Sequence, residues 1–131
     1  MRSFVIDSSA LIRLYLPDGP LPEGLEDVVD SASRGDAVLL VPELALAEVA
    51  QVLRKKEQAG ALSAPEADEV LEAVLSLPLC VVGHRELLPL ALSLSRTHRM
   101  TVYDALFLAL SVDRGASLMT ADKELARLAA T

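Results

Sequence analysis

Four short runs in this chain, Ser3 to Ile6, Val38 to Val41, Leu79 to Val82 and Ser117 to Met119, are mostly apolar on both faces. A strand with one wet face alternates apolar and polar residues. A strand without alternation needs a cover on each side, which a parallel sheet between two layers of helices provides. Helical patterns fill the intervals, at about Ser9 to Tyr15, Leu25 to Ser33, Glu43 to Ala59, Pro65 to Leu75, Glu86 to Arg96, Tyr103 to Asp113 and Lys123 to Ala129. Strands alternating with helices predict an α/β, doubly wound architecture in three layers. Pro17, Gly19, Pro20 and Pro22 mark an early loop. Gly60 is placed to close the third helix, and Ser63-Ala64-Pro65-Glu66 reads as a capping box with proline in the first turn. At 131 residues, with no internal linker or repeat, the expectation is one domain over 1–131.

Against that frame, four acids stand out. Asp7 ends the run Phe4-Val5-Ile6, and Asp122 follows Ser117-Leu118-Met119-Thr120. Glu48 interrupts the apolar stretch from Leu44 to Ala50, and Asp104 heads the almost wholly apolar segment Ala105 to Leu110. An unpaired charge among apolar neighbours costs several kcal/mol, so such groups neutralise, pair or hold a metal. These segments offer few matching cations, which makes a shared divalent metal the reading to test. In open sheets of this kind sites form beyond the carboxyl ends of strands, at a switch in strand order. Asp7 and Asp122 both fall at such ends.

Each acid also has a plainer explanation. Asp7 suits the N-cap of the next helix, although Ser8 and Ser9 suit it equally. Glu48 has Leu44, Ala45 and Val52 as its helical neighbours, so a solvated face is the weaker alternative. Asp104 fits a capping box opened by Thr101, with the apolar helix behind it directing the acid inward. Thr120 would cap a helix with Asp122 and Glu124 in its first turn. The remaining acids, among them Asp18, Glu26, Asp27, Asp30, Glu57, Glu66, Asp68, Glu69 and Glu72, read as solvated surface.

Composition narrows the function. The net charge is −7, from 19 acidic and 12 basic residues, so a polyanion must be met by a local contact. Arg54-Lys55-Lys56 reads as a helix C-terminal turn complementing the macrodipole. Aromatics are only 3%, too few for a base-stacking platform. The single Cys80 excludes a disulfide or a cysteine zinc site and reads as a buried small apolar residue. His84 and His98 lack the spacing of a zinc pair and are expected in turns or on the surface. Without a signal pattern or a bilayer-length apolar run, the cytoplasm is the expected location and no membrane partner is expected.

The segments 4–12, Val41-Pro42-Glu43-Leu44-Ala45-Leu46-Ala47-Glu48-Val49, 102–110 and Leu118-Met119-Thr120-Ala121-Asp122-Lys123-Glu124-Leu125 carry a resemblance. Together, in this order and spanning nearly the whole chain, they resemble the PIN-domain family, and within it the VapC-type ribonuclease toxins of toxin–antitoxin pairs. The resemblance implies a PIN-like three-layer fold, with a central, mostly parallel sheet of four to five strands and helices on both faces. It implies that Asp7, Glu48, Asp104 and Asp122 are catalytic, metal-binding acids, and that Ser9 and Thr120 support them. Mg²⁺ or Mn²⁺, an RNA substrate, a small antitoxin and a homodimer or higher homo-oligomer are the implied cofactor and partners. Relatives often carry a further strand after the Asp122-type helix. This chain stops at Thr131, so an edge strand is expected to be missing or shortened.

Converging carboxylates give the metal its physical rationale. Two of them about 4 Å apart repel by about 4 kcal/mol at an effective dielectric near 20, and an all-oxygen site suits Mg²⁺ or Mn²⁺. Competing classes fit less well. A haloacid-dehalogenase phosphatase needs a second Asp at position 9, where this chain has Ser9. A receiver domain needs an acid after Val82, where Gly83-His84-Arg85 follows. A degenerate PIN module for binding or assembly is the main alternative, and a DNA-directed nuclease the next; the chain lacks the extra elements of flap-type relatives.

Overall fold

The computed structural model describes residues 1–17 and 19–130, so Asp18 and the chain end at Thr131 lie outside the described residues. Four strands form one sheet: β1 (Arg2–Ile6), β2 (Ala37–Pro42), β3 (Leu79–Val82) and β4 (Ser117–Met119). Their order is β3-β2-β1-β4 and every pairing is parallel. Phe4 stands opposite both Leu39 and Ser117, and Leu40 opposite Cys80. The helices are α1 (Ser8–Arg13), α2 (Leu25–Ser33), α3 (Leu44–Gln58), α4 (Ala64–Leu75), α5 (Leu88–His98, led by a short 3₁₀ turn), α6 (Val102–Arg114) and α7 (Lys123–Ala129).

The chain moves outward from β1 to β2 to β3, then crosses back to place β4 on the other side of β1. Right-handed crossovers then place the helices of the outward run on one face and those of the return on the other. The contacts agree: α1 packs on α3 and α4, while α6 packs on α5, α7, β1 and β2. β1, central and covered twice, has Val5 and Ile6 fully buried. α6 is the core helix, with Ala105 through Leu110 all buried.

Local signals explain where elements end. Gly115 takes φ 59, and Ala116 N–H reaches Ser111 C=O at 3.0 Å while Gly115 N–H reaches Val112 C=O at 3.3 Å. This Schellman turn, which needs a residue at ease in the left-handed region, stops α6 and launches β4. The Ser63–Glu66 capping box forms with both of its bonds.

Two expectations change. Cys80 is exposed rather than buried. β3 is an edge strand, so its apolar run is only partly covered, and Cys80 and Val81 face outward. Asp104 is likewise exposed rather than directed inward. It sits in the first turn of α6, before the helix passes beneath its neighbours, and the buried stretch begins one residue later.

Candidate active site

The topology puts the reversal of strand order between β1 and β4, and the loops leaving both strands meet there. Asp7 leaves β1 with its N–H bonded to Met119 C=O of β4 at 3.1 Å. It is 5% exposed, in extended geometry, and its Oδ1 accepts from Ala10 N–H at 3.0 Å, capping α1. The same oxygen accepts from the Ser9 hydroxyl at 2.7 Å. Oδ2 accepts from the Thr120 hydroxyl, which lies beyond β4 and is itself buried. Cap and candidate site are therefore one arrangement: the extended backbone that starts α1 also turns this carboxylate toward Thr120 across the switch point.

Ser9 and Thr120 each work twice. Ser9 Oγ also accepts from Ala121 N–H at 3.1 Å, and Thr120 Oγ1 accepts from Asp122 N–H at 2.9 Å. Two hydroxyls thus tie the corner after β1 to the corner after β4, more than a hundred residues apart in sequence. Asp122, not Thr120, is the N-cap of α7, with Oδ1 accepting from Leu125 N–H at 3.0 Å.

Glu48 projects from the second turn of α3, half-buried, and its Oε1 accepts from the Ser8 hydroxyl at 3.2 Å. Asp104 caps nothing. Its N–H is held by Thr101 Oγ1 at 3.1 Å, and its exposed carboxylate has no protein hydrogen-bond partner among the described residues.

Electrostatics connect the four. Burial pushes the Asp7 carboxyl upward, hydrogen bonds from Thr120, Ser9 and Ala10 oppose this, and the Asp122 charge adds to the rise. Burial also raises Glu48; the Ser8 bond opposes it, and the charges of Asp104 and Asp7 reinforce it. So Asp7 feels Asp122, and Glu48 feels both Asp104 and Asp7. No arginine or lysine enters either balance.

The donors suit a hard divalent cation, being oxygens on carboxylates with two hydroxyls behind them. Among the described residues no three His, Cys, Asp or Glu side chains stand close enough together to hold a metal ion as they are. Mg²⁺ is held through one or two carboxylates with water completing the shell, so an open set fits it where it would not fit a dehydrated ion. Ser8 and His84 carry roles that sequence patterns do not reveal. Ser8 lies 40 residues from Glu48, and His84 Nε2 accepts from Leu44 N–H at 3.0 Å, at the start of the helix that bears Glu48.

The PIN domain model matches residues 4–131. Ribonuclease VapC3 from Pyrobaculum aerophilum is 36% identical across 93% of this chain and 91% of its own length. Among solved structures, PAE2754 from Pyrobaculum aerophilum superposes with a TM-score of 0.73 at 23% identity, covering 95% of this chain and 77% of that one. VapC20 from Mycobacterium tuberculosis, described as a toxin that cleaves the sarcin–ricin loop, superposes with a TM-score of 0.66 at 14% identity, covering 95% and 94%.

Proposed function

The chain belongs to the PIN domain family, and from that premise we propose that it is a divalent-metal-dependent endoribonuclease acting as the toxin of a toxin–antitoxin pair. The observation that carries this reading is the buried Asp7 carboxylate at the strand-order reversal, fixed by Ser9 and Thr120 and sharing its field with Glu48 and Asp122. Its other support is the 36% identical relative, which bears the name ribonuclease.

Asp7 and Asp104 are the proposed main ligands, in part through water, with Asp122 completing the shell and Glu48 steering the attacking water. A bound Mg²⁺ or Mn²⁺ supplies Lewis-acid stabilisation of the phosphoryl oxygens and eases deprotonation of water at neutral pH. The protein supplies position and proton handling. Ser9 and Thr120 engage one oxygen each of Asp7, so the carboxylate cannot swing when substrate enters. Glu48 has Oε1 engaged by Ser8, which leaves Oε2 to take a proton from the attacking water. Water attacks phosphorus in line, the new P–O bond forms as the bond to the leaving oxygen breaks, and that oxygen is protonated from solvent. Asp104 and Asp122 are exposed, so their carboxylates are open to solvent and to an incoming substrate.

An acidic pocket of this kind also suits a guanidinium, so an antitoxin that presents an arginine to it is the proposed inhibitor. The cytoplasm is the proposed compartment; no described helix is long and apolar enough to cross a membrane. The open arrangement of the acids favours one second reading, a binding module that has lost catalysis. Calorimetric titration with Mn²⁺ separates the two, since a pure binding module has no need to hold the ion here.

The deciding experiment is cleavage of total RNA with end sequencing. Activity is expected with Mn²⁺, to vanish with EDTA, and to fall by at least about a hundredfold in Asp7→Asn and Asp104→Asn. Wild-type rates in a clean Asp104→Asn preparation would sink the assignment.

A further inference from the structure

α1 and α3 pack side by side, and a groove runs between them. On α1, Ser9 is followed one turn later by Arg13; on α3, Glu48 is followed one turn later by Val52. A cavity of about 210 Å³ lies here, lined by Ser8, Ser9, Ile12, Arg13 and Val52. One end is therefore the acidic centre, because Ser8 holds Glu48 and Ser9 holds Asp7. At the other end lies Arg13.

Arg13 is the arginine that lines this cavity, and it shares with Arg2, Arg85, Arg96 and Arg99 the lack of an ion pair among the described residues. Arg34, Arg54, Arg114 and Arg127 each pair with a carboxylate, at 3.6, 3.0, 3.5 and 2.6 Å. Among the described residues Arg13 pairs with none: Nη1 donates to Pro20 C=O at 3.0 Å, which uses one of five N–H donors and none of the charge. The loop after α1 holds it in place. Gly19 sits so close that an added Cβ would come within 2.9 Å of Arg13 Cζ.

We propose that this groove is the track of the RNA backbone and that Arg13 is a substrate-positioning residue, binding a phosphate next to the one cleaved. The proposal rests on the ribonuclease reading above. Ser9 and Arg13 are rooted one helical turn apart, about 6 Å along α1, so a phosphate beside the scissile one lies within reach of the long arginine side chain. A chain of net charge −7 repels RNA at long range, so an arginine lining this cavity, without an ion pair among the described residues, supplies a local attraction that overall charge denies.

The test uses the full chain with Mn²⁺ and a fluorescein-labelled single-stranded RNA. Arg13→Gln is expected to raise KM about tenfold with kcat within about twofold, since a charge-assisted contact to an adjacent phosphate is kept through the reaction. The slope of log KM against log salt should fall by about 0.7, one phosphate contact on a single strand. Arg13→Lys should keep that slope while recovering only part of the affinity. Melting curves check that each variant is folded. Unchanged KM and salt slope in folded Arg13→Gln would overturn the proposal while leaving the ribonuclease reading intact. If the wild type cleaves no RNA, that reading fails, and anisotropy of the same RNA decides the groove alone. A lower salt slope in Arg13→Gln than in wild type supports it, and equal binding overturns it.

Discussion

Three hydrogen-bond donors converge on the Asp7 carboxylate while its burial works against the charge they solvate. Burial is the larger effect, so the proton is held more tightly in the native protein than in the unfolded chain. Across the window from the ordinary aspartate range up to the raised value, the native state therefore binds more protons. Its stability falls as pH rises through that window. Asn at position 7 keeps an oxygen for Ser9 and Ala10 and removes the charge. In EDTA, Asp7→Asn is expected to melt above the wild type at neutral pH, with the gap closing as pH drops toward 4; Glu48, also raised, leaves a smaller slope of the same sign in the variant. Added Mn²⁺ should raise the wild-type melting temperature and leave the variant unmoved. Thermal melts over this pH range check it, and a variant that melts lower at neutral pH would show that the hydrogen bonds outweigh desolvation.

At the scale of elements, α3 starts without a cap of its own. Glu43 is helical at the N-cap position and offers no side-chain bond; its N–H goes to Val82 C=O at 2.9 Å. The turn after β3 supplies the missing acceptor through His84 Nε2, 3.0 Å from Leu44 N. Removing a helix N-cap costs about 1 kcal/mol. His84→Ala should thus lower the melting temperature by about 4 °C and speed amide exchange at Leu44, whereas His84→Gln, which can place an oxygen near Nε2, should recover most of both. Unaltered Leu44 exchange in the alanine variant would show that water replaces the ring. The same elements show what a sequence can carry. β1 was legible because its two faces are both apolar, and Asp7 and Asp122 were legible because they follow strands. The β3-β2-β1-β4 order was not, because an edge run such as Leu79 to Val82 reads like the central run Phe4 to Ile6. Cys80 and Asp104 were misplaced for that reason: apolar neighbours in sequence do not say which end of an element is covered. The bond from Thr120 to Asp7 spans 113 residues, and no local pattern encodes it.

For the molecule as a whole, charge and apolar surface pull in different directions. One continuous stretch, from β3 through the first turns of α5, leaves Val81 46%, Leu88 43% and Leu92 43% exposed, beside an unpaired strand edge among the described residues. Exposed apolar side chains next to a free edge favour self-association, and a homodimer through this stretch is the expected state. Each copy carries −7, so association works against mutual repulsion that salt screens. Dimerisation should therefore tighten as salt rises, opposite to RNA binding, which weakens as counterions compete. Sedimentation velocity is expected to give twice the 14.0 kDa chain mass at moderate salt, shifting toward monomer at low ionic strength. Leu88→Glu with Leu92→Glu should be monomeric throughout while melting near the wild type, because neither side chain lies in the core. A monomeric wild type at tens of micromolar, or a double variant that still dimerises, would place the contact elsewhere or remove it.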